Sequence, residues 1–156
     1  MPTLTDIDRE APVIAQHQID IAAPLATVWD LHINVDDWPQ WNHEITAAEL
    51  DGEFAPGSSF TWTSWGFTVT STIHAVEAHR RTLWGGAAQG IMGIHEWLFE
   101  ETPTGVHVVT NESFAGAVQS LGRRVARQPD HSRDDLPRHR RGPCCRRTTN
   151  RGARGG

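Results

Sequence analysis

The sequence predicts an α+β domain: an antiparallel sheet of about seven strands, two short helices after the first strand, and a helix at the C-terminal end of the folded part. Three observations carry this. Most of residues 59–114 alternate apolar and polar letters, with turn signals between the runs. Pro24 is followed by apolar residues at helical spacing, and Phe114, Val118, Leu121 and Val125 return to that spacing. With 156 residues, 38% of them apolar, the chain has the length and composition for one core.

Val13, Ala15, His17, Ile19 and Ile21 alternate with Gln16, Gln18 and Asp20, the period of a half-buried strand. Pro24 suits a first helical position, and Leu25, Val28, Trp29 and His32 share one helical face behind it. A second short helix is expected from Asp36 as N-cap, with Pro39 tolerated in its first turn and Trp38 and Trp41 three apart. Phe60 and Trp62, then Phe67, Val69, Ser71 and Ile73, form a hairpin. A two-residue Trp65-Gly66 turn sets Trp62 opposite Val69 and Phe60 opposite Ser71, both apolar sets on one face. Arg81 to Gly85 reads as the next strand, with Gly85, Gly86 and Gly90 around the turn that follows.

Ile91–Glu100 and Val106–Phe114 form the last hairpin, turning at Pro103-Thr104. Opposed residues then have numbers that sum to 207. Glu96 and Glu100 face water and His107, Asn111 and Ser113 look outward, while Phe99 faces Val108, Trp97 faces Thr110 and His95 faces Glu112 on the inner side. A helix is expected from about residue 115 to Gln128, ended by Pro129.

Composition removes whole chemistries. The chain has no lysine and no tyrosine, so a Schiff-base lysine, a phosphate-loop lysine and a tyrosine acid are all excluded. Cys144 and Cys145 are adjacent in a polar segment, poorly placed for a disulfide or a zinc site. His95-Glu96 lacks the second histidine of a zinc helix, no Gly-x-Ser-x-Gly elbow occurs, and neither a metal nor a cofactor is expected. Residues 1–122 hold 3 Arg against 16 Asp or Glu, a balance of −13; residues 123–156 hold 11 Arg against 3 Asp, a balance of +8. The sequence contains no transmembrane run and no signal-peptide pattern, so the expected location is the cytoplasm.

Several segments, taken in order, carry a resemblance: Ile21-Ala22-Ala23-Pro24 with Val28-Trp29, Trp38-Pro39-Gln40-Trp41-Asn42, Gly57-Ser58-Ser59-Phe60-Thr61-Trp62, Leu83-Trp84-Gly85-Gly86, His95-Glu96-Trp97 and Glu112-Ser113-Phe114-Ala115-Gly116. Their order and spacing, from about residue 12 to 127, resemble the polyketide cyclase/dehydrase group of the START-like (SRPBCC) superfamily. The resemblance implies a helix-grip fold, in which a curved antiparallel sheet wraps a long C-terminal helix and encloses a cavity for an apolar ligand. Family members include aromatase/cyclases and lipid carriers. They share no universal catalytic triad, so no catalytic role is carried over.

The expected organisation is an N-terminal extension over residues 1–11, a helix-grip domain over 12–127, and a disordered Arg/Gly-rich tail over 128–156. That tail departs from the family's longer grip helix. In a GC-rich gene, arginine, glycine, proline and alanine are what an out-of-frame reading yields, so the tail is expected to follow a frameshift; a natural disordered extension or a nucleic-acid-binding arm are the alternatives. Translating the DNA in its other two frames tests this. The folded domain is not expected to bind nucleic acid, and the oligomeric state is left open.

The expected partner is a small hydrophobic molecule, lipid or polyketide-like. Its cavity lining is expected to be Phe60, Trp62, Val69, Ile73, Trp97, Phe99 and Thr110, with Trp41 near the mouth and Val118 and Leu121 closing it. Trp29, Trp38 and Trp84 are expected in the core. His95 and Glu112 carry the candidate chemistry: the carboxylate fixes the tautomer of an imidazole that then serves as general base next to a ketone, unless the pair merely ties two strands together. Three functions follow: a carrier or sensor without chemistry, a cyclase/aromatase-like enzyme based on His95, or a protein-interaction module.

Overall fold

The structure, a computed structural model, describes residues 4–117. The expected C-terminal helix with Val118 and Leu121, and the Arg-rich tail, lie outside the described residues.

The elements in chain order are β1 (Val13–Ile21), α1 (Leu25–Ile33), a 3₁₀ turn (Val35–Asp37), α2 (Trp38–Trp41), β2 (Ile45–Asp51), β3 (Ser59–Ser64), β4 (Phe67–Glu77), β5 (Arg81–Ala88), β6 (Ile91–Thr102) and β7 (Gly105–Gly116). The strands form one sheet in the order β1-β7-β6-β5-β4-β3-β2, antiparallel throughout. Only β1 leaves sequence order. It is separated from β2 by the two helices and pairs instead with β7.

Both hairpin registers follow the turn arithmetic. Trp62 stands opposite Val69 and Phe60 opposite Ser71; His95 stands opposite Glu112, Trp97 opposite Thr110 and Phe99 opposite Val108. Two-residue turns leave a pair of strands no freedom to slip without turning apolar side chains outward.

The helices cover part of the inner face. Val28 and Trp29 of α1 pack on Phe99, Val106 and Val108, while Val35 and Trp38 pack on Ile45, Phe60, Ile73 and Trp84. Side chains of this size each gain about 1.5–3 kcal/mol from burial. Asp36 does not cap the second helix as expected: its carboxylate accepts the Leu50 backbone N–H at 2.7 Å, tying the turn to β2. Pro24 sits one residue ahead of the first helical position.

Three further expectations are corrected. Strand β5 runs through Gly85 and Gly86 to Ala88, and the turn is Gln89-Gly90. Strand β7 continues to Gly116, so no helix begins at 115: Phe114 pairs with Val13 and Gly93, and Ala117 donates its backbone N–H to the Gly90 carbonyl. Glu96 and Ser113 face outward but not to water. Residues 4–10 lie across them, with Ile7 buried against Leu83 and Ile94, Asp8 N–H donating to Ser113 Oγ, and the Arg81 guanidinium joining Thr5 carbonyl oxygen to Glu96. Glu100 is exposed as expected.

Candidate functional site

The inner face of β3–β7 and the end of α2 enclose a cavity of about 460 Å³. Gly86 and Gly93 are register partners on the inner face, and neighbouring groups approach both closely. A Cβ at Gly86 would run into the backbone of Thr70, and one at Gly93 would stand 3.2 Å from the Phe114 ring and 3.3 Å from His95 Nε2. Aromatic rings from flanking positions form the walls: Trp38 and Trp41 from α2, Trp62 from β3, Trp84 from β5, Trp97 from β6 and Phe114 from β7.

His95 is held on three sides. Its Nδ1 lies 3.0 Å from Glu112 Oε1, its ring stacks on Trp84 at 4.2 Å and 21°, and Phe114 meets it edge-on at 5.6 Å. Burial alone would raise the Glu112 carboxyl. The hydrogen bond with His95, and the charges of His95 and His17, outweigh burial and hold it below its ordinary 4.5. An ionised carboxylate only accepts, so Nδ1–H donates to it and the neutral ring keeps its lone pair on Nε2, the end beside Gly93. A side chain at 93 would crowd that nitrogen.

At the deep end lies His32 of α1, wholly buried, with Nε2 2.8 Å from Thr82 Oγ1. Burial lowers its pKa to about 3, so at neutral pH it is an uncharged polar ring among Trp29, Trp38, Phe54, Trp97 and Phe99. Trp84 Nε1, Trp97 Nε1 and Thr110 Oγ1 are buried with no hydrogen-bond partner among the described residues.

Of the expected site residues, Trp41, Trp62, Val69, His95, Trp97 and Glu112 come together around the cavity. Phe60, Ile73, Phe99 and Thr110 point to the same face but are buried off the cavity wall, the first three packed with the side chains of α1, α2 and the turn between them. Val118 and Leu121 lie outside the described residues. Trp29, Trp38 and Trp84 are buried as expected, and Trp38 and Trp84 are cavity wall as well. Sequence reasoning missed His32, Trp65, Gly86 and Gly93 as parts of the site; the signal for the glycines was their place in an otherwise strand-like run. Among the described residues no cluster of three or more His, Cys, Asp or Glu is arranged to hold a metal ion, and no helix is long and apolar enough to cross a membrane.

Residues 12–130 match the model of the family described as polyketide cyclase / dehydrase and lipid transport. The chain belongs to this family. The chain is also similar to a protein of Streptomyces halstedii named "Putative polyketide cyclase", 32% identical over 104 residues that span 58% of this chain and 91% of the relative. Solved structures carry the family fold at low identity. A hypothetical protein of Helicobacter pylori aligns with a TM-score of 0.65 at 18% identity, over 78% of this chain and 84% of its own. A START superfamily protein of Mycobacterium smegmatis aligns with a TM-score of 0.60 at 8% identity, over 72% and 86%. At such identities the likeness is one of fold, and it agrees with the seven-stranded sheet and two short helices.

Proposed function

We propose that the chain binds one small, flat hydrophobic molecule in the cavity over Gly86 and Gly93, as a carrier or sensor. The observation that supports this is the cavity itself: about 460 Å³ walled by indole rings, with polar groups confined to a few points.

A second reading is supported by the His95–Glu112 hydrogen bond. Here His95 Nε2 removes a proton from the carbon beside a ketone of the bound molecule. The resulting enolate carbon attacks a second carbonyl of the same molecule, one carbon–carbon bond forms, and the imidazolium returns its proton to the new alkoxide. Glu112 stays ionised throughout and stabilises the imidazolium. Electrons and atoms balance within the ligand.

Native mass spectrometry of the purified chain, with fluorescence titration by 1,8-dihydroxyanthraquinone, tests the first reading. A co-purifying small molecule, or saturable one-to-one binding, is expected; absence of both overturns it. His95→Gln separates the two readings. Binding retained with turnover of a poly-ketone lost supports the enzyme, and a wild type that binds but never turns over supports the carrier.

A further inference from the structure

We propose that Trp65 is a ligand-gripping residue that, with Trp41, clamps the outer end of a flat, conjugated ligand at the cavity mouth, and that it is kept there at the expense of stability. This rests on the reading of the cavity as a ligand site.

Trp65 and Gly66 form the β3–β4 turn with φ of +52° and +78°. Two successive positive values are those of a type I′ hairpin turn, where Asn-Gly is the favoured pair. A side chain with a bulky ring is disfavoured in the left-handed region, and nothing about the turn itself asks for one. Burial compensates only in part, because Trp65 is 43% exposed.

The molecule contains its own control. Gln89-Gly90, between β5 and β6, has the same φ pair of +52° and +78°. The same backbone is therefore made with an exposed polar residue that is not part of the cavity lining. The third non-glycine residue with positive φ among the described residues, His79, packs edge-on against Trp29 at 5.5 Å, a contact that accounts for it. Trp65 has a different account: its side chain lines the cavity.

So does Trp41, 46% exposed, from the end of α2. Two half-exposed indoles on separate elements thus border one opening, while the deep end is closed by buried Trp38, Trp84 and His32. An indole is rigid and offers a flat face, so a pair of them at a mouth suits a planar ligand longer than the enclosed space. A strained conformation held at a binding position is the pattern expected where function outweighs local stability.

The test compares Trp65→Asn with Gln89→Asn in the full chain, by thermal unfolding and by titration with 1,8-dihydroxyanthraquinone. Both substitutions are expected to raise Tm, by about 4 °C, because both install the favoured turn residue. Only Trp65→Asn is expected to weaken the probe, by about tenfold. A fall in Tm for Trp65→Asn, or probe affinity unchanged within twofold, overturns the proposal while leaving the cavity reading intact. A wild type that does not bind the probe overturns the clamp, and one that also carries no co-purifying small molecule overturns the cavity reading with it. Loss of binding to phosphatidylcholine vesicles with unchanged probe affinity overturns the clamp in favour of a membrane contact.

Discussion

At the scale of single residues, His32 is the clearest case of environment deciding chemistry. Unfolded, it takes up a proton near its ordinary 6.5; folded, burial lowers it to about 3. Between those values the unfolded chain binds more protons, so stability rises with pH there, is complete above about 6.5 and is lost as pH falls. The loss is expected at about 1.4 kcal/mol per pH unit, or about 2 kcal/mol between pH 6.5 and 5. Urea unfolding at both pH values checks it. His32→Leu is expected to be less stable at neutral pH, since Thr82 Oγ1 loses its partner, and to lack most of the acid dependence. Equal acid dependence in the variant would assign it to another group, and not to Glu112, whose lowered pKa acts only below about 4.5. His32 was legible as part of a helical face but not as a cavity floor. Periodicity says which way a residue points and nothing about what it meets.

At the scale of elements, the hairpins were legible and the N-terminal segment was not. The pairing of His95 with Glu112 followed from the register fixed by the Pro103-Thr104 turn, which required no tertiary information. Residues 4–10 have no period, and their one deeply buried side chain, Ile7, gives no pattern. Hence Glu96 and Ser113, correctly placed on the outer side, are covered, although Glu96 was expected in water. Parity has the same limit inside: Phe60, Ile73 and Phe99 face inward, yet only the positions of α1, α2 and the turn between them decide that they are covered and Trp62 and Trp97 are not. The segment's energetic role is testable. Ile7→Ala should cost about 2 kcal/mol, the low end for a buried isoleucine, seen as a lower urea midpoint with unchanged slope. A cost under about 0.5 kcal/mol would mean the segment merely rests on the sheet.

At the scale of the whole molecule, charge is the term that the fold leaves unbalanced. The 16 acidic residues among the first 122 face only 3 arginines, and all three already pair, Arg9 with Asp6, Arg80 with Glu77 and Arg81 with Glu77 and Glu96. Self-repulsion of this kind is screened by salt. Raising ionic strength from about 0.02 to about 0.3 M is therefore expected to raise Tm by about 2–4 °C. A fall in Tm would mean that attraction between the acidic body and the Arg-rich segment after residue 122 is the larger effect. The antiparallel sheet, the two short helices and the family were legible in the sequence because strand alternation, turn residues and apolar content all agree. The cavity was legible only through the family resemblance.

Of the residues that line the cavity, His32, Trp38, Trp84 and His95 are buried, while Trp41 and Trp65 are half-exposed. Were the proposed planar guest to enter past those two indoles, whichever terminus led would decide which of its atoms stopped beside His95 Nε2. On the enzyme reading proposed above, regiochemistry would then be a matter of penetration depth: lengthening or shortening a guest by one ring would move a different carbon to the imidazole without any change in the protein.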